Sequence, residues 1–327
     1  MKYRRLGKTE LQISEIAFGG GRSGGILIDA DDDTRRRAVR MALDHGINWF
    51  DTAPQYGDGK SEEALGWLLA EIDETPYVST KVRIDSTNHE DMAGQVERSL
   101  HESLTRLRRD SVDLVQLHNP VTAEATARTI TAEHVLGPNG ALEGLERLRD
   151  QGLLRFMGLT ALGDNAATRH VIDSGRFDCA QIYYNMLNPS AARDTMPAKW
   201  RGFDATGFME ACKAQDMGIL AIRIFAASYL ATPVRTGRES ILTTDTAAES
   251  EARMSDVLFA ELGNEYGSRA QTAARFVVAN PDVSTAIIGL SDPAYIDEAM
   301  EGWAKGPLPA AALAEIEALY ESGFNSA

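Results

Sequence analysis

The chain has 327 residues, of which 43% are hydrophobic and 25% charged, and its formal net charge at pH 7 is −15. This composition is typical of globular proteins, and the negative surface disfavours nucleic acids and anionic membranes as partners because it repels phosphate groups. The two cysteines, Cys179 and Cys212, do not have the number or spacing of a disulfide framework or a metal site. No apolar run has the length of a membrane span or the character of a secretory signal, so we expect a cytoplasmic protein.

The predicted elements begin with a short hairpin. Residues 1–13 contain two short extended segments around the turn Gly7-Lys8-Thr9, and we expect them to pair and to cap the bottom of the fold. Beyond them, short apolar runs alternate with longer amphipathic stretches, a pattern that predicts strands alternating with helices and therefore a parallel sheet. The predicted strands lie at residues 16–18, 47–50, 77–81, 112–117, 153–159, 178–184, 218–224 and 285–288.

Helical stretches fill the spaces between these strands. In residues 90–107, for example, Val96, Leu100, Leu104 and Leu107 recur on one helical face. The other clear helical stretches are residues 33–45, 61–70, 141–151 and 309–320. Because about eight strand–helix units follow one another without a linker, we expect an α/β protein with one (β/α)8 TIM-barrel domain over residues 1–327, not an open doubly wound sheet.

Three irregular stretches, at residues 121–138, 188–204 and 232–252, are long for connecting loops. In TIM barrels the loops that follow the strands form the active-site face. We therefore expect these stretches to shape a substrate pocket, with the aromatic residues Trp200, Phe225 and Tyr229 as candidates to line it.

Four residues with reactive side chains, Asp51, Tyr56, Lys81 and His118, lie at or just beyond the ends of successive predicted strands. A phenol with a pKa near 10 is a weak acid and a weak base at neutral pH. A buried ammonium beside it favours the phenolate, a carboxylate holds that ammonium in place, and an imidazole can share or relay the proton. Each residue alone also has an ordinary structural interpretation, such as a helix cap or a loop aromatic. Together, they predict a phenol that works as both acid and base.

The segments that carry these residues resemble the aldo-keto reductase family. They are FDTAPQYG at residues 50–57, STK at 79–81 and DLVQLH at 113–118, and the segments RLGKT at 5–9 and FGGG at 18–21 are similar as well. The resemblance extends over residues 3–304. It implies a (β/α)8 barrel that binds NAD or NADP across its mouth and transfers a hydride to or from a carbonyl carbon. In this picture Tyr56 is the general acid or base, Lys81 and Asp51 tune it, and His118 orients the substrate oxygen.

The same resemblance implies a set of cofactor-binding positions. Thr160 and Gln181 correspond to residues that hold the nicotinamide carboxamide, although Ala161 cannot supply the amide that relatives often have beside Thr160. Arg223 corresponds to a residue stacked on the nicotinamide ring, and residues 224–230 correspond to the loop around the pyrophosphate. The full predicted set is Gly20, Asp51, Thr160, Gln181, Arg223, Phe225, Leu230, Gly289, Ser291, Tyr295 and Glu298.

The segment at residues 288–299 predicts a preference for NAD over NADP. Many NADP-using relatives have Arg or Lys where this chain has Ser291. A cation, and especially a bidentate Arg, is the best partner for the 2′-phosphate that distinguishes NADP. Ser291 offers one neutral hydrogen bond, and the neighbouring Asp292 would repel a phosphate.

Two further interpretations stay open. The segment around Tyr56 resembles family members that oxidise aldoses to lactones with NAD, which makes an aldose 1-dehydrogenase an alternative. The alternative from another functional class is a non-catalytic barrel. Such a barrel would bind the nucleotide as a sensor, or as a subunit of an assembly, without turning over substrate. The expected ligand of the enzyme is a small carbonyl compound, alcohol or aldose. The scattered histidines have no metal-ligand spacing, so no metal site is expected.

Overall fold

Eight parallel strands form a closed barrel in the computed structural model, which describes residues 1–85, 87–235, 237, 239 and 248–324. Each barrel strand pairs with the next one in the chain, and the last pairs with the first. The strands are β3 (Ile16–Gly19), β4 (Trp49–Asp51), β5 (Tyr77–Val82), β6 (Val112–Leu117), β7 (Leu154–Ala161), β8 (Cys179–Tyr183), β9 (Gly218–Ile222) and β10 (Thr285–Gly289). The predicted (β/α)8 barrel is confirmed.

Helices surround the barrel and connect its strands. In the described residues they are α1 (Ile26–Asp29), α2 (Asp32–Asp44), α3 (Lys60–Ala70), α4 (Met92–Leu107), α5 (Ala132–Leu136), α6 (Ala141–Asp150), α7 (Asn165–Asp173), α8 (Phe208–Ala214), α9 (Ala248–Leu262), α10 (Arg269–Val278), α11 (Ala294–Ala304) and α12 (Ala310–Ser322). Several begin with a side-chain cap, as in α2, where Asp31 accepts a hydrogen bond from the backbone N–H of Thr34. Throughout the described chain, every helix is too short or too polar to cross a bilayer.

The predicted N-terminal hairpin is present. It consists of β1 (Tyr3–Arg5) and β2 (Gln12–Ser14), which pair in antiparallel fashion with Tyr3 opposite Ser14. The turn requires glycine at position 7, where φ is +50° and a Cβ atom would lie 2.2 Å from the backbone nitrogen of Gly218. Leu6 of this turn is fully buried. The hairpin therefore closes the end of the barrel at which the strands begin.

The barrel interior changes from apolar to polar along the strands. Alternate residues of each strand point inward. Inside the first half of the barrel, Trp49, Leu114, Cys179 and Leu220 pack with the hairpin residues in one apolar cluster. Two residues further along β4, β6 and β8, the same inward alternation brings polar residues into the barrel, namely Asp51, Gln116 and Gln181. The polar layer lies toward the C-terminal ends of the strands, which is the end where TIM barrels carry their active sites.

Some predicted boundaries are wrong. β4 begins at Trp49, not residue 47: the backbone N–H of Ile47 bonds back to Ala42 of α2, and the side chain of Asn48 bonds to the hairpin. The predicted helix starts and ends agree within two residues for α2, α3, α4, α6 and α12. The predicted loop at residues 232–252 ends earlier, because α9 begins at Ala248; residues 236, 238 and 240–247 lie outside the described residues.

A buried carboxylate fixes the helix α3 to the strand that carries Lys81. Glu62 of α3 is fully buried, accepts a hydrogen bond from Thr80 of β5, and lies 2.7 Å from the Nε atom of Arg106. Arg106 belongs to α4, so the cluster joins three neighbouring elements. If the cationic partner of a buried carboxylate is removed, the carboxylate stays out of contact with water, and nothing offsets the free-energy cost of its desolvation.

Replacing Arg106 with Met should therefore lower the free energy of unfolding by about 3 kcal/mol. Arg147 offers a matched control, because it pairs with Glu97 and Glu143 while 47% of its side chain is exposed. Arg147→Met should cost less than about 1 kcal/mol because exposed ion pairs are screened by water. Denaturant titration of the two variants measures both values, and equal losses would contradict the role assigned to Glu62.

Candidate active site

The polar layer of the barrel is centred on an ion pair between Lys81 and Asp51. The Nζ atom of Lys81 lies 2.6 Å from Oδ2 of Asp51 and donates a second hydrogen bond of 2.9 Å to the backbone oxygen of Thr52. Both side chains are buried. Because an isolated buried charge is very costly, each group keeps the other charged and in place.

The second oxygen of Asp51 accepts hydrogen bonds from three other strands. Ser79 Oγ donates at 2.8 Å, Gln181 Nε2 at 2.8 Å and Gln116 Nε2 at 3.2 Å, all to Oδ1. These donors belong to β5, β8 and β6, whereas Asp51 ends β4. The carboxylate is therefore held by side chains from three other strands, which restricts its rotation away from Lys81.

Tyr56 lies on the loop after β4, above the ion pair. The Nζ atom of Lys81 is 4.7 Å from the centre of the Tyr56 ring. A turn holds the residue, because its backbone N–H donates to Ala53 and its carbonyl accepts from Ser61. Gly21 leaves space beside the phenol, since a Cβ atom at that position would lie 3.9 Å from the hydroxyl oxygen. The phenol is thus partly buried and borders on the opening of the barrel.

His118 follows β6 and lies next to Tyr56. Their ring centres are 5.9 Å apart with an angle of 86° between the planes, an edge-to-face contact. The backbone N–H of His118 donates to Val82 at 2.8 Å, which anchors the residue beside the end of β5. Its Nδ1 atom is 3.0 Å from Oε1 of Gln55. All four predicted catalytic residues therefore meet at one rim.

The surroundings shift the pKa values of three of these groups. Burial raises the pKa of the Tyr56 phenol, and the positive charge of Lys81 opposes this rise. Burial acts to lower the pKa of Lys81, but the Asp51 carboxylate outweighs it, so the net pKa is raised and the ammonium stays charged. Burial and the charges of Lys81 and Arg83 lower the pKa of His118 well below its usual range, which leaves the imidazole neutral at neutral pH. Such perturbed groups in one place are typical of proton-transfer sites.

A cavity of about 330 Å³ opens at the same end of the barrel, between the loop after β3, the segment after β9 and the end of β10. Its lining combines residues of the segments 224–230 and 288–299, which the resemblance assigns to cofactor binding. Among the described residues no Lys or Arg lines it. The predicted cofactor residues that line it are Phe225, Gly289, Ser291, Tyr295 and Glu298; Ser23 and Gly24 also line it, and Gly24 packs against the backbone of Gly289 and Leu290.

Two other predicted cofactor residues lie side by side at the mouth. Thr160 and Gln181 are paired in register between β7 and β8. The Oγ1 atom of Thr160 is buried and has no hydrogen-bond partner among the described residues. A buried hydroxyl without a partner is costly, and a carboxamide group placed there would satisfy it. The residues present therefore fit a nicotinamide at this end, and the cavity of about 330 Å³ fits the other end of the dinucleotide.

The remaining predicted cofactor residues lie in tightly packed positions. Gly20 is buried, and a Cβ atom there would lie 2.6 Å from Oγ of Ser61. The Leu230 side chain is fully buried in the core. The Arg223 guanidinium lies 3.3 Å from the Glu251 carboxylate and 5.4 Å from the centre of the Tyr183 ring. Any contact that Gly20 and Leu230 make with a cofactor would therefore come from their backbone.

The backbone after β9 is strained where it borders the cavity. Arg223, Ala226, Ala227 and Ser228 all have positive φ angles, between 45° and 87°. Side chains other than glycine rarely adopt this region, and it is concentrated at binding sites. The strain agrees with the prediction that residues 224–230 form a binding loop.

The structure buries two of the three aromatic residues expected to line the substrate pocket, and their contact with a substrate stays a prediction. Trp200 is almost completely buried and donates its indole N–H to the backbone oxygen of Leu187 at 3.1 Å. Tyr229 is also buried, and the guanidinium of Arg235 covers its ring at 4.5 Å. Phe225 remains accessible, but it lines the predicted cofactor cavity. The rings of Trp200 and Tyr229 thus pack under the long loops in this structure.

Three residues of the site were not predicted: Ser79, Gln116 and Gln55. A signal for the first two was present, because Ser79 lies two residues before Lys81 on an otherwise apolar strand, and Gln116 lies two residues before His118. Alternation along a strand places Ser79 and Lys81 on the same face. The contact of Gln55 with His118 joins two loops and has no sequence signal of this kind.

Taken together, the geometry is suited to moving a proton at an oxygen atom near Tyr56. A neutral imidazole, a phenol and a buried ammonium border one opening, and the polar groups behind them are fixed. No group of His, Cys, Asp or Glu side chains that could hold a metal ion occurs in the described part of the chain.

The chain is similar in sequence to several named dehydrogenases. It is 26% identical to L-galactose dehydrogenase of Arabidopsis thaliana over 305 residues, which cover 91% of this chain and 86% of that protein. It is 27% identical to D-threo-aldose 1-dehydrogenase of a Pseudomonas species over 257 residues, which cover 70% of this chain and 71% of that protein. Among solved structures, an aldo-keto reductase from Klebsiella pneumoniae in complex with NADPH has a TM-score of 0.69 and 19% identity, covering 98% of this chain and 95% of that one.

The model of one family matches almost the whole barrel. Its description is Aldo/keto reductase family, and the match covers residues 15–321. The matched region contains β3 to β10 and all four residues of the rim, Asp51, Tyr56, Lys81 and His118. The chain belongs to the aldo/keto reductase family.

Proposed function

We propose that this protein is an NAD(P)-dependent oxidoreductase that interconverts a small carbonyl compound and the corresponding alcohol, with Tyr56 as its general acid and base. The observation that supports this most directly is the meeting of Tyr56, Lys81, Asp51 and His118 at one rim, at the end of the barrel where the cavity opens. The nicotinamide ring supplies or accepts the hydride when the cofactor is bound. Thr160 and Gln181 would hold its carboxamide, and the cavity residues its other end.

The chain's own residues would handle the proton. During reduction the Tyr56 hydroxyl gives its proton to the substrate oxygen, and the Lys81 ammonium stabilises the phenolate that remains. During oxidation the phenolate takes the proton back from the alcohol. Asp51 keeps Lys81 charged and in place, and His118 holds the substrate oxygen by a hydrogen bond. The half-buried rim limits the access of bulk water, which strengthens these electrostatic contributions.

The cavity supports a preference for NAD over NADP. Its lining has Glu298 but no Lys or Arg among the described residues. Ser291 is exposed at its edge, and Asp292 caps the start of α11 by accepting a hydrogen bond from Ala294 at 2.9 Å. A 2′-phosphate placed there would meet carboxylates without a guanidinium to neutralise it. The NADPH in the Klebsiella pneumoniae structure belongs to that protein.

A sugar is the second candidate substrate. Two relatives named for sugar oxidation, L-galactose dehydrogenase and D-threo-aldose 1-dehydrogenase, align over 91% and 70% of this chain. An aldose 1-dehydrogenase would use the same residues, because the hydroxyl on C1 would lose its proton to Tyr56. This candidate requires only that the reaction run in the oxidative direction.

A spectrophotometric panel tests the proposal. Sugars with NAD or NADP, and aromatic aldehydes with NADH or NADPH, are followed at the absorbance band of the reduced nicotinamide. We expect turnover in at least one set, with kcat/KM about tenfold or more higher with the NAD pair. Ser291→Arg should raise kcat/KM with the NADP pair, and Gln151→Arg, at an exposed neutral residue after α6, serves as a control that adds the same charge elsewhere.

The outcomes separate the claims. A strong NADP preference in the unmodified protein would reject the cofactor assignment and leave the chemistry intact. Tight cofactor binding without turnover of any substrate would favour the alternative of a nucleotide-binding sensor or subunit.

A further inference from the structure

A larger cavity, of about 660 Å³, lies among the helices outside the barrel. It is bordered by α1, α2, α3 and the C-terminal end of α4, and no described residue lines both this cavity and the one of about 330 Å³ at the mouth. Its charged lining residues are Arg35, Lys60, Arg106, Arg108 and Glu63. Four cations thus face one carboxylate in the described lining, in a chain whose formal net charge is −15.

The chain itself holds two of the four cations in place. Arg35 donates one hydrogen bond of 2.9 Å to Oδ1 of Asp32 and another of 3.0 Å to the backbone oxygen of Ile28. Arg106 donates to the buried carboxylate of Glu62 at 2.7 Å. These guanidinium groups therefore form fixed walls of the cavity, and a ligand that contacts them loses little affinity to side-chain ordering.

The other two cations, Lys60 and Arg108, have no partner in the described part of the chain. Both side chains are exposed, and neither makes a hydrogen bond or an ion pair with a described residue, Glu63 included. Arg108 follows the last turn of α4, where the helix dipole favours a cation, but Lys60 is the first residue of α3, where the dipole disfavours one. The stability of the helix therefore does not explain the positive charge at position 60.

The charges and the lining of the cavity define the chemistry of a ligand. Two unpaired cations between two fixed guanidinium groups attract an anion with more than one charge, and phosphate oxygens match the geometry of guanidinium donors. The half-buried indole of Trp67 also lines the cavity and offers an apolar, aromatic surface. The volume lies within the range of about 300–1,000 Å³ that is usual for small-molecule sites.

We propose that this cavity binds a small phosphate ester, with its phosphate group on Lys60 and Arg108 and its organic part against Trp67. The bound phosphate neutralises the two unpaired cations. Because the ligand binds the folded chain and not the unfolded one, it also stabilises the fold. The inference goes beyond the proposed function and does not depend on it, since none of these residues belongs to the rim or to the cavity at the mouth.

Calorimetric titration of the full chain, without cofactor and at low ionic strength, tests the two cations. The probes are inorganic phosphate and phenyl phosphate. Lys60→Gln combined with Arg108→Gln should weaken the binding of both probes about tenfold or more, because hydrogen bonds between charged groups are lost. Arg106 stays unchanged in this variant, because its loss would leave Glu62 buried without a cation.

A matched control removes the same two charges elsewhere. Lys2 and Arg128 are exposed, lie outside the lining of the cavity, and make no side-chain hydrogen bond or ion pair with a described residue. Lys2→Gln combined with Arg128→Gln should bind both probes as the unmodified protein does. The thermal unfolding midpoint should rise with phenyl phosphate concentration in the unmodified protein and in this control, and should rise much less in the variant of Lys60 and Arg108.

Trp67 provides a second and independent measurement. Phenyl phosphate should bind more tightly than inorganic phosphate and should change the tryptophan fluorescence of the unmodified protein. Trp67→Leu should abolish both the fluorescence change and the advantage of phenyl phosphate, while inorganic phosphate binds as before. This measurement keeps the inference testable even if the variant of Lys60 and Arg108 does not fold.

Several results would overturn the inference. They are the absence of saturable binding of either probe, equal affinities in the two double variants, and a fluorescence change that persists in Trp67→Leu. Competition between phenyl phosphate and NAD would place the phosphate in the cavity at the mouth and would also reject the site. None of these measurements needs turnover, so failure of the inference leaves the proposed function untouched, and failure of the proposed function leaves the inference standing.

Discussion

Tyr56→Phe should bind the nicotinamide cofactor as the unmodified protein does and lose turnover by about 10²- to 10⁴-fold. The substitution removes only the hydroxyl to which we assign the proton transfer. The ring remains, so its edge-to-face contact with His118 and its position over Lys81 are preserved. Cofactor affinity is measured by fluorescence titration, and turnover by nicotinamide absorbance with the best substrate of the panel.

Tyr77→Phe provides the matched control for this variant. Tyr77 begins the same strand that carries Lys81, but it lies near the hairpin, where its ring packs against Trp49 at 6.0 Å. Loss of its hydroxyl should leave kcat within about twofold of the value for the unmodified protein, because substitutions of partly exposed residues far from the site have small effects. Near-normal turnover of Tyr56→Phe would remove the phenol from the mechanism.

Lys81→Met should move the pH profile of the alcohol oxidation to higher pH and reduce the rate at neutral pH. Oxidation needs the phenolate, so its rate rises as the pH passes through the pKa of Tyr56. The charge of Lys81 lowers that pKa, while burial and Asp51 raise it. Removing the cation leaves only the raising influences. The phenolate then forms at higher pH, and the rising part of the profile shifts upward.

The same substitution also threatens the fold, because it leaves Asp51 buried without its cation. Breaking such a pair costs about 3–5 kcal/mol. The double variant Lys81→Met with Asp51→Asn removes both charges and should recover much of this stability without recovering the rate. Measured kcat against pH in the double variant thus separates the electrostatic role from folding. The double variant also removes the raising influence of Asp51, so its midpoint should shift less than that of Lys81→Met. An unchanged midpoint in Lys81→Met itself would show that Lys81 does not influence the phenol.

The sequence predicts the frame of the site well, because its signals are local. The ends of strands are marked by apolar runs that stop at Asp51, Lys81 and His118, and parallel strands of a barrel bring such ends to one rim. The segment 50–57 also places Tyr56 on the loop directly after β4. To predict that these four residues meet, it is enough to know the order and direction of the strands, because closure of the barrel then brings the strand ends to one rim.

What the sequence does not predict depends on contacts between distant segments. Gln181 donates to Asp51 across 130 residues and Gln116 across 65; strand alternation places each amide on an inward face, but only closure of the barrel brings both to the same carboxylate oxygen. The burial of the Trp200 and Tyr229 rings has the same origin. A large aromatic residue in a loop packs under that loop or faces a ligand, and only the tertiary packing decides between the two.

The carboxylate of Asp51 receives side chains from β5, β6 and β8 while itself belonging to β4, and this has a consequence for how the protein acquires activity. Strands close to the two ends of the chain, β3 and β10, must also pair before those four are held at their mutual angles. A half-barrel that contains Asp51, Tyr56, Lys81 and His118 would therefore not hold the Lys81 side chain in a fixed position. During refolding, enzymatic competence should return with the last and slowest stage of closure, after most secondary structure has already formed.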